Sequence, residues 1–260
     1  MKIHYLGTCS GTEPMPDMHH CSLIIEVDGA LYWFDAGEGC SHRAYTDGLG
    51  VLNTRAIFIS HPHIDHIGGL ANLLFTLNKL ESRNVGVLSG GNALDIYTPD
   101  ESILPHVKHV ALSCRPQANF KYTLREHRVS DGVIYDDGTV KVSAIHNGHL
   151  REDGSCGWHS YSYLIEAEGK RVVFSGDVLS PTELDSFAKG SDLLIMETGH
   201  HKVSDVCEYA ISRGAGALRF NHHGREILED REGCEARVKE YAKKSGISIK
   251  ICYDGMCESI

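Results

Sequence analysis

Four side chains that can bind a metal ion lie within six consecutive positions of this 260-residue chain. His61, His63, Asp65 and His66 form the pattern His-x-His-x-Asp-His. Imidazole nitrogens suit zinc and its first-row neighbours, and a carboxylate oxygen completes such a site. A chance cluster among the 17 histidines is the alternative, but the tight spacing favours a functional metal site.

The motif is predicted to lie on a loop between a strand and a helix. Residues 56–60 form a short β-branched and aromatic run, which predicts a buried strand. Leucines at 70, 73, 74 and 77 follow the i, i+3, i+4, i+7 spacing of one helix face. Pro62 fixes its own φ angle and restricts His61, so the ligands are held by rigid neighbours.

Possible ligands recur at the ends of predicted strands. These residues are Asp35, His61, His149, Asp177 and His222. Such side chains converge if their strands share a sheet edge. Taken alone, His149 and His222 would be ordinary polar loop residues, and Asp35 a turn or capping residue. Taken together, they predict two metal sites that share one carboxylate.

The remaining elements are predicted from hydrophobic periodicity and turn residues, with Asp28-Gly29 as a strong hairpin signal. The predicted strands are 2–6, 22–27, 31–34, 56–60, 95–97, 133–135, 140–145, 161–167, 171–174, 192–196, 217–220 and 247–252. The predicted helices cover 40–48, 67–80 and 99–110, with one through 203–211 and one ending near 244.

The composition is that of an ordinary soluble globular protein, with 42% hydrophobic and 23% charged residues. A chain of this length has one or two domains. No apolar run approaches the length of a membrane helix, and the first residues contain no signal-peptide core. Nine cysteines without a Cys-x-x-Cys pair fit a reducing compartment, so we expect a cytoplasmic protein.

The charge of the chain favours some classes of substrate over others. The formal net charge of −10 disfavours a protein that binds nucleic acid through overall charge, because phosphate neutralisation needs lysine and arginine. Residues 103–130 are the one positive stretch, with five basic residues against Glu126: Lys108, Arg115, Lys121, Arg125 and Arg128. A face for a phosphate-bearing substrate and an ordinary solvated surface both fit this stretch.

The sequence resembles the metallo-β-lactamase superfamily, and within it the ribonuclease Z-like branch. The superfamily motif stands at 61–66, preceded by Asp35 and followed by His149, Ser175-Gly176-Asp177 and His222. The branch is indicated by Leu6-Gly7-Thr8, by Asp-x-Gly-Glu-Gly at 35–39, by His-Ile-Gly-Gly-Leu at 66–70 and by the closing Tyr-Asp-Gly-Met at 253–256. The resemblance covers nearly the whole chain and implies one domain over residues 1–260.

The resemblance implies an α+β fold, the αββα four-layer sandwich of the metallo-β-lactamase type. It also implies two divalent metal ions, with zinc expected and manganese or iron as alternatives. One ion would be held by His61, His63 and His149, and the other by Asp65, His66 and His222, with Asp177 bridging them. Asp35 would orient a ligand histidine, and Asp65 would accept a proton from water. His201, which follows the strand ending in Glu197, resembles the branch histidine near the scissile phosphate.

The chain departs from ribonuclease Z in two places. His222-His223-Gly224-Arg225 replaces the His-Phe-Ser-x-Arg context, so His223 is a rival ligand. The loop after His149, which contains Gly154, Ser155 and Gly157, is long.

We therefore expect a metal-dependent hydrolase, most simply a phosphodiesterase. Its substrate would be an RNA 3′ end, which the net charge does not favour, or a smaller phosphodiester such as a cyclic nucleotide. Hydrolysis of a small ester, thioester or lactone is the alternative on the same site, and a non-enzymatic metal-binding protein is the alternative of another class. No membrane partner is expected. The sequence does not decide between a monomer and a homodimer.

Overall fold

A computed structural model describes residues 1–115, 117–150 and 158–260. The chain divides into two compact units. The first unit comprises Met1–Gly7, Pro16–Val129 and Asp254–Ile260, and the second comprises Thr8–Met15 and Ser130–Tyr253.

The strands and helices mostly follow the predicted positions, with boundaries shifted by at most four residues. The strands are β1 Lys2–Gly7, β2 Ser22–Val27, β3 Ala30–Phe34, β4 Thr54–Phe58, β5 Ala93–Thr98, β6 Thr123–Arg128, β7 Gly132–Asp136, β8 Lys141–His146, β9 Tyr161–Ala167, β10 Lys170–Phe174, β11 Leu193–Glu197, β12 Ala217–Asn221, β13 Ser248–Ile251 and β14 Cys257–Ser259. The helices are α1 Cys40–Thr46, α2 Ile64–Ile67, α3 Leu70–Ser82, α4 Ser89–Asn92, α5 Ile103–Ala111, α6 Asp185–Ala188, α7 Val203–Arg213, α8 Arg225–Glu229 and α9 Arg231–Ser245.

The first unit is built on a mixed sheet with the strand order β14-β1-β2-β3-β4-β5-β6. The strands from β14 to β3 pair antiparallel, and those from β3 to β6 pair parallel. Asp28 and Gly29 join β2 to β3 with φ angles of 49° and 77°, the left-handed pair that a two-residue hairpin requires. The predicted hairpin is therefore confirmed.

Helix α3 covers one face of this sheet. Leu70, Leu73, Leu74 and Leu77 are fully buried in a cluster that includes Trp33 and other strand residues. Each buried leucine contributes roughly 1.5–3 kcal/mol through the area it removes from water. The predicted helix face is confirmed, although the predicted helix at 67–80 is two helices, α2 and α3, separated by Gly68 and Gly69.

The second unit repeats this plan with the strand order β13-β12-β11-β10-β9-β8-β7. The strands from β7 to β10 pair antiparallel, and those from β10 to β13 pair parallel. Helices α7 and α9 contribute buried residues such as Val206 and Val238 to a cluster with Leu194 and Phe220. Because β8, β10, β11 and β12 run in the same direction, their carboxyl ends lie at one edge of the sheet.

Two strands were not predicted. β6 lies in the basic stretch and is largely exposed, so it has no hydrophobic alternation to reveal it. β14 is only three residues long and pairs with β1. The predicted helix that ends near residue 244 is α9, and the side chain of Asp230 caps its N-terminus by accepting from the Gly233 N–H.

The basic stretch is partly neutralised within the first unit. Arg125 binds the Asp95 carboxylate through two hydrogen bonds of 2.9 and 2.6 Å. Lys108 Nζ lies 2.7 Å from Glu126 Oε1. These two cations already have carboxylate partners, which favours the ordinary-surface interpretation of this stretch.

No disulfide bond joins the cysteines of the described ranges. Among the helices of these ranges, none has the length and hydrophobicity needed to cross a membrane. The predicted loop with Gly154, Ser155 and Gly157 lies outside the described residues.

Candidate metal centre

The first cluster of potential ligands lies between β4 and α2 in the first unit. His61 and His66 are fully buried and Asp65 is nearly so, whereas His63 is exposed at the N-cap position of α2. The His61 ring centroid lies 4.6 Å from that of His63 and 4.0 Å from that of His66. Asp65 Oδ2 is 3.4 Å from His66 Nε2. Three imidazoles and a carboxylate therefore meet on one short loop.

Asp35 fixes the protonation pattern of this cluster. It follows β3, which runs parallel to β4, and its buried carboxylate accepts a hydrogen bond from His66 Nδ1 at 2.6 Å. A carboxylate can only accept, so His66 Nδ1 carries the proton and Nε2 presents its lone pair. Asp35 also accepts from the Ser60 backbone N–H at 2.7 Å and from Ser60 Oγ at 2.8 Å.

Ser60 extends the same pattern to His61. Its hydroxyl proton goes to Asp35, so Ser60 Oγ accepts from His61 Nδ1 at 3.0 Å. His61 Nε2 is then the atom with a lone pair. Asp35 and Ser60 together thus orient two imidazoles with their basic nitrogens available to a metal ion, the usual arrangement around ligand histidines.

Close backbone contact holds the ligand loop against the β3 end. The Ala36 N–H donates to His66 O at 2.7 Å, and the Gly69 N–H donates to Ala36 O at 2.8 Å. A Cβ atom at Gly69 would lie 2.1 Å from Gly37 O, so only glycine allows this approach. The close approach of the two backbones therefore explains why glycine stands at position 69.

A second cluster lies at the carboxyl-end edge of the sheet in the second unit. Asp177 follows β10 and is 1% exposed. One of its carboxylate oxygens lies 3.3 Å from His222 Nδ1, and the other lies 3.6 Å from His149 Nε2 and 3.8 Å from His200 Nδ1. The β8, β10 and β12 ends bring His149, Asp177 and His222 together as the sequence predicted.

The structure separates the two rival histidines. His222 adopts a left-handed φ of 49°, so the extended backbone ends there and simple strand alternation does not apply. Its ring faces Asp177. His223 is fully buried, donates from Nε2 to Cys252 O at 2.9 Å, and has its pKa lowered to about 3 by burial. Its contacts are structural, which favours His222 as the ligand.

Glu197 is the centre of a third group in the second unit. This carboxylate at the end of β11 is 1% exposed and accepts from the His200 backbone N–H at 2.9 Å and from His200 Nδ1 at 3.1 Å. His201 Nε2 lies 3.4 Å from Glu197 and donates to Val178 O at 3.0 Å. The side chain of His200 is 45% exposed, against 13% for His201.

Two contributors were missed in the sequence. Ser60 directly precedes the motif, and a hydroxyl beside a ligand histidine is a recognisable signal for an orienting residue. His200 directly precedes His201, but only the tertiary structure shows that its ring lies 4.8 Å from that of His149.

The donors of both clusters fit divalent metal ions. Imidazole nitrogens and carboxylate oxygens are the ligands that zinc, manganese and iron accept in hydrolytic sites. In the second unit, donor atoms of Asp177, Glu197, His200 and His222 all lie within 4.8 Å of one another.

Comparison with known proteins identifies the family. The family model described as Anti-Pycsar protein Apyc1 matches residues 1–202. The chain belongs to the Anti-Pycsar protein Apyc1 family. Curated relatives of this Apyc1-family chain include the ribonuclease Z of Mycolicibacterium paratuberculosis, which is 23% identical over 263 residues and matches 89% of each chain. The ribonuclease Z of Cyanothece sp. is 32% identical over 152 residues, which span 56% of this chain but only 43% of that relative.

Solved structures of similar fold extend over the whole chain. Human tRNase Z, short form, has a TM-score of 0.74 at 18% identity and covers 100% of this chain and 99% of that one. The metallo-β-lactamase fold protein YhfI of Bacillus subtilis has a TM-score of 0.73 at 18% identity and covers 99% and 98%. The expected α+β sandwich of the metallo-β-lactamase type is therefore confirmed. The expected likeness to ribonuclease Z-type metal-dependent hydrolases is confirmed as well.

Proposed function

We propose that this Apyc1-family protein is a phosphodiesterase that uses two divalent metal ions. The observation that carries the proposal is the buried Asp177 carboxylate, which lies within 3.8 Å of imidazoles from three different segments. Such a group is costly to bury unless a cation or hydrogen bonds compensate its charge. The ribonuclease Z relatives support hydrolysis of a phosphodiester bond as the reaction.

We assign seven side chains to the metal centre. His61, His63 and His149 would hold one ion, Asp65, His66 and His222 the other, and Asp177 both. Ions bound there would lower the pKa of a water molecule and stabilise charge on the phosphate. Zinc is the metal we expect, since imidazole predominates among the donors.

The chain's own groups have separate tasks in this proposal. Asp35 and Ser60 accept hydrogen bonds from Nδ1 of His66 and His61. The Nε2 atom of each ring is thereby left to bind a metal ion. Asp65 accepts the proton of the attacking water. Glu197 positions His201, which assists departure of the leaving oxygen.

The substrate is proposed to be small. A net charge of −10 and the paired cations of the 103–130 stretch give little support for a long RNA. A cyclic nucleotide or another small phosphodiester fits better. We also propose that residues 1–260 act as one cytoplasmic hydrolase domain.

A substrate panel tests the function. Protein reconstituted with zinc or manganese would be assayed on bis-p-nitrophenyl phosphate, a cyclic nucleotide, a precursor transfer RNA and an aryl thioester. We expect turnover of the first two, loss with chelator, and loss in Asp177→Asn. Turnover of the thioester alone would overturn the phosphodiesterase assignment.

A further inference from the structure

An aromatic pair projects from the second unit next to the His149 segment. The rings of Trp158 and His146 stack with centroids 4.1 Å apart and planes at 17°. Trp158 is 41% exposed. Isolated apolar side chains are common on protein surfaces and need no explanation. Here, however, one face of the exposed indole is already covered by the His146 ring. The residues around this pair indicate what the other face could bind.

Asp131 holds the stack in one orientation. One oxygen of its carboxylate accepts from the His146 backbone N–H at 2.8 Å, and the other accepts from His146 Nδ1 at 2.7 Å. This double contact fixes both the backbone and the ring of His146. The indole therefore rests on a support whose own conformation is restrained, which lowers the entropic cost of stacking a third ring.

The stack lies at the same sheet edge as the Asp177 cluster. His146 is the last residue of β8, and its register partner Tyr161 is the first residue of β9. His149 lies three residues after His146, a stretch of chain that spans at most about 11 Å. Buried Asn147 accepts from the His149 N–H at 3.1 Å, and Glu183 accepts from the Gly148 N–H at 2.8 Å. The segment that links stack and ligand is therefore well fixed.

Charge and neighbouring residues define which part of a substrate fits here. The Asp131 carboxylate beside the stack disfavours a phosphate group at this position. Leu179, which is 50% exposed, lies against Gly148 and adds apolar surface on the same loop edge. The position suits an uncharged, flat group attached to a phosphate that reaches the metal ligands.

We propose that Trp158 is a stacking platform for the nucleobase of a nucleoside phosphodiester. This inference rests on the proposed phosphodiesterase function and narrows its substrate class. An indole stacks on any base, because every base has an aromatic face, so the platform favours nucleotides over other phosphodiesters without selecting among bases.

Matched substrates test the platform. Thymidine 5′-(p-nitrophenyl phosphate) and methyl p-nitrophenyl phosphate share a leaving group and differ in the nucleoside. Trp158→Ala is expected to raise KM for the thymidine ester about ten-fold or more, the effect of losing one base stack, with the methyl ester unaffected. Trp158→Phe should give a KM for the thymidine ester between those of the wild type and Trp158→Ala, since a smaller aromatic ring still stacks on the base. Tyr45→Ala, which removes an exposed aromatic ring from α1, is the control and should change neither KM.

Fluorescence gives a reading that does not depend on turnover. The chain has two tryptophans, and Trp33 is fully buried, so thymidine 5′-monophosphate should quench the emission of Trp158. The quenching should disappear in Trp158→Phe.

The outcomes separate the two proposals. Equal KM effects of Trp158→Ala on both esters, or wild-type kinetics with no quenching, would overturn the platform while leaving the phosphodiesterase intact. Failure of the metal-loaded wild type to cleave either ester would overturn the phosphodiesterase, and quenching by the monophosphate would then still decide whether Trp158 binds a nucleotide.

Discussion

At the scale of single residues, the metal ligands of the first unit depend on a proton network that begins at Asp35. Asp35 and Ser60 bind no metal ion in our assignment, yet they determine which nitrogen of His61 and His66 is basic. Asp35 accomplishes this from a left-handed φ of 60°, which is uncommon outside glycine and tolerated best by Asp and Asn. Such a conformation at a strand end redirects the carboxylate toward the neighbouring loop.

Removing the network should weaken metal binding without unfolding the protein. We expect Asp35→Asn and Ser60→Ala each to lower metal affinity about 10–100-fold, the usual loss when an orienting partner is removed. Titration with a competing chelator dye measures the affinity. Ser82→Ala, at the end of α3, is the control. Wild-type metal affinity in both variants would show that Asp35 and Ser60 do not orient the ligand histidines.

The His222 and His223 pair should respond in opposite ways. His222→Ala is expected to lose about one of two metal equivalents and nearly all turnover, since Asp65 and His66 would hold that ion with only Asp177 to help. His223→Ala should keep both ions but lose roughly 1–3 kcal/mol of unfolding free energy, because a fully buried ring and one of the two donors to the Cys252 carbonyl are removed. Metal loss in His223→Ala with full occupancy in His222→Ala would reverse the assignment.

Glu197 and its two histidines can be separated by kinetics. His201→Gln should lower kcat about 10²–10⁴-fold with little change in KM, as loss of an acid–base group does. Glu197→Gln should lower kcat as well, because His201 then loses the carboxylate that positions it. His200→Gln should mainly raise KM, since its ring is the more exposed of the two. The largest kcat loss in His200→Gln would transfer the catalytic role to that residue.

At the scale of secondary-structure elements, the carboxyl ends of parallel strands create both clusters. β3 and β4 deliver Asp35 and the His61 loop, and β10, β11 and β12 deliver Asp177, Glu197 and His222. The loops after these strands differ in conformation, but each loop begins at a strand end whose position the sheet fixes. Residues on loops held by such a scaffold can be placed accurately without regular structure of their own.

The exposed edge strand β6 offers a test of the basic stretch. Arg125 is paired with Asp95, which also contacts His127 Nε2 at 2.7 Å. Arg125→Gln should therefore cost up to about 1 kcal/mol of stability, as exposed ion pairs do, and leave the salt dependence of turnover unchanged. Denaturant unfolding and a salt titration measure both, with Arg83→Gln as the control. A flatter salt dependence on RNA in Arg125→Gln alone would restore the phosphate-binding interpretation.

At the scale of the whole molecule, the two units have sheets with the same succession of antiparallel and parallel strands. Each unit carries its own buried cluster of imidazoles and carboxylates.

Metal content and stability should therefore respond to changes in either unit. Elemental analysis of reconstituted protein is expected to give about two equivalents. Chelation should lower Tm, because ligands that bind only the folded state stabilise it by mass action. His61→Ala in the first unit and His149→Ala in the second should each reduce the content. A reproducible single equivalent in the wild type with excess metal would contradict the dinuclear proposal.

The sequence by itself determined most of the strand and helix pattern and the likeness to ribonuclease Z, and it supplied the candidate ligands, with His223 as a rival to His222. It could do so because metal ligands must be a few residue types, and because strand ends and helix faces follow from local periodicity. It did not determine which of two adjacent histidines faces Asp177, since the left-handed backbone at His222 cancels strand alternation. Nor did it reveal that Ser60 links two imidazoles, that Arg125 is already paired, or that Trp158 stacks on His146. These features depend on contacts between residues whose side-chain directions only the tertiary structure sets.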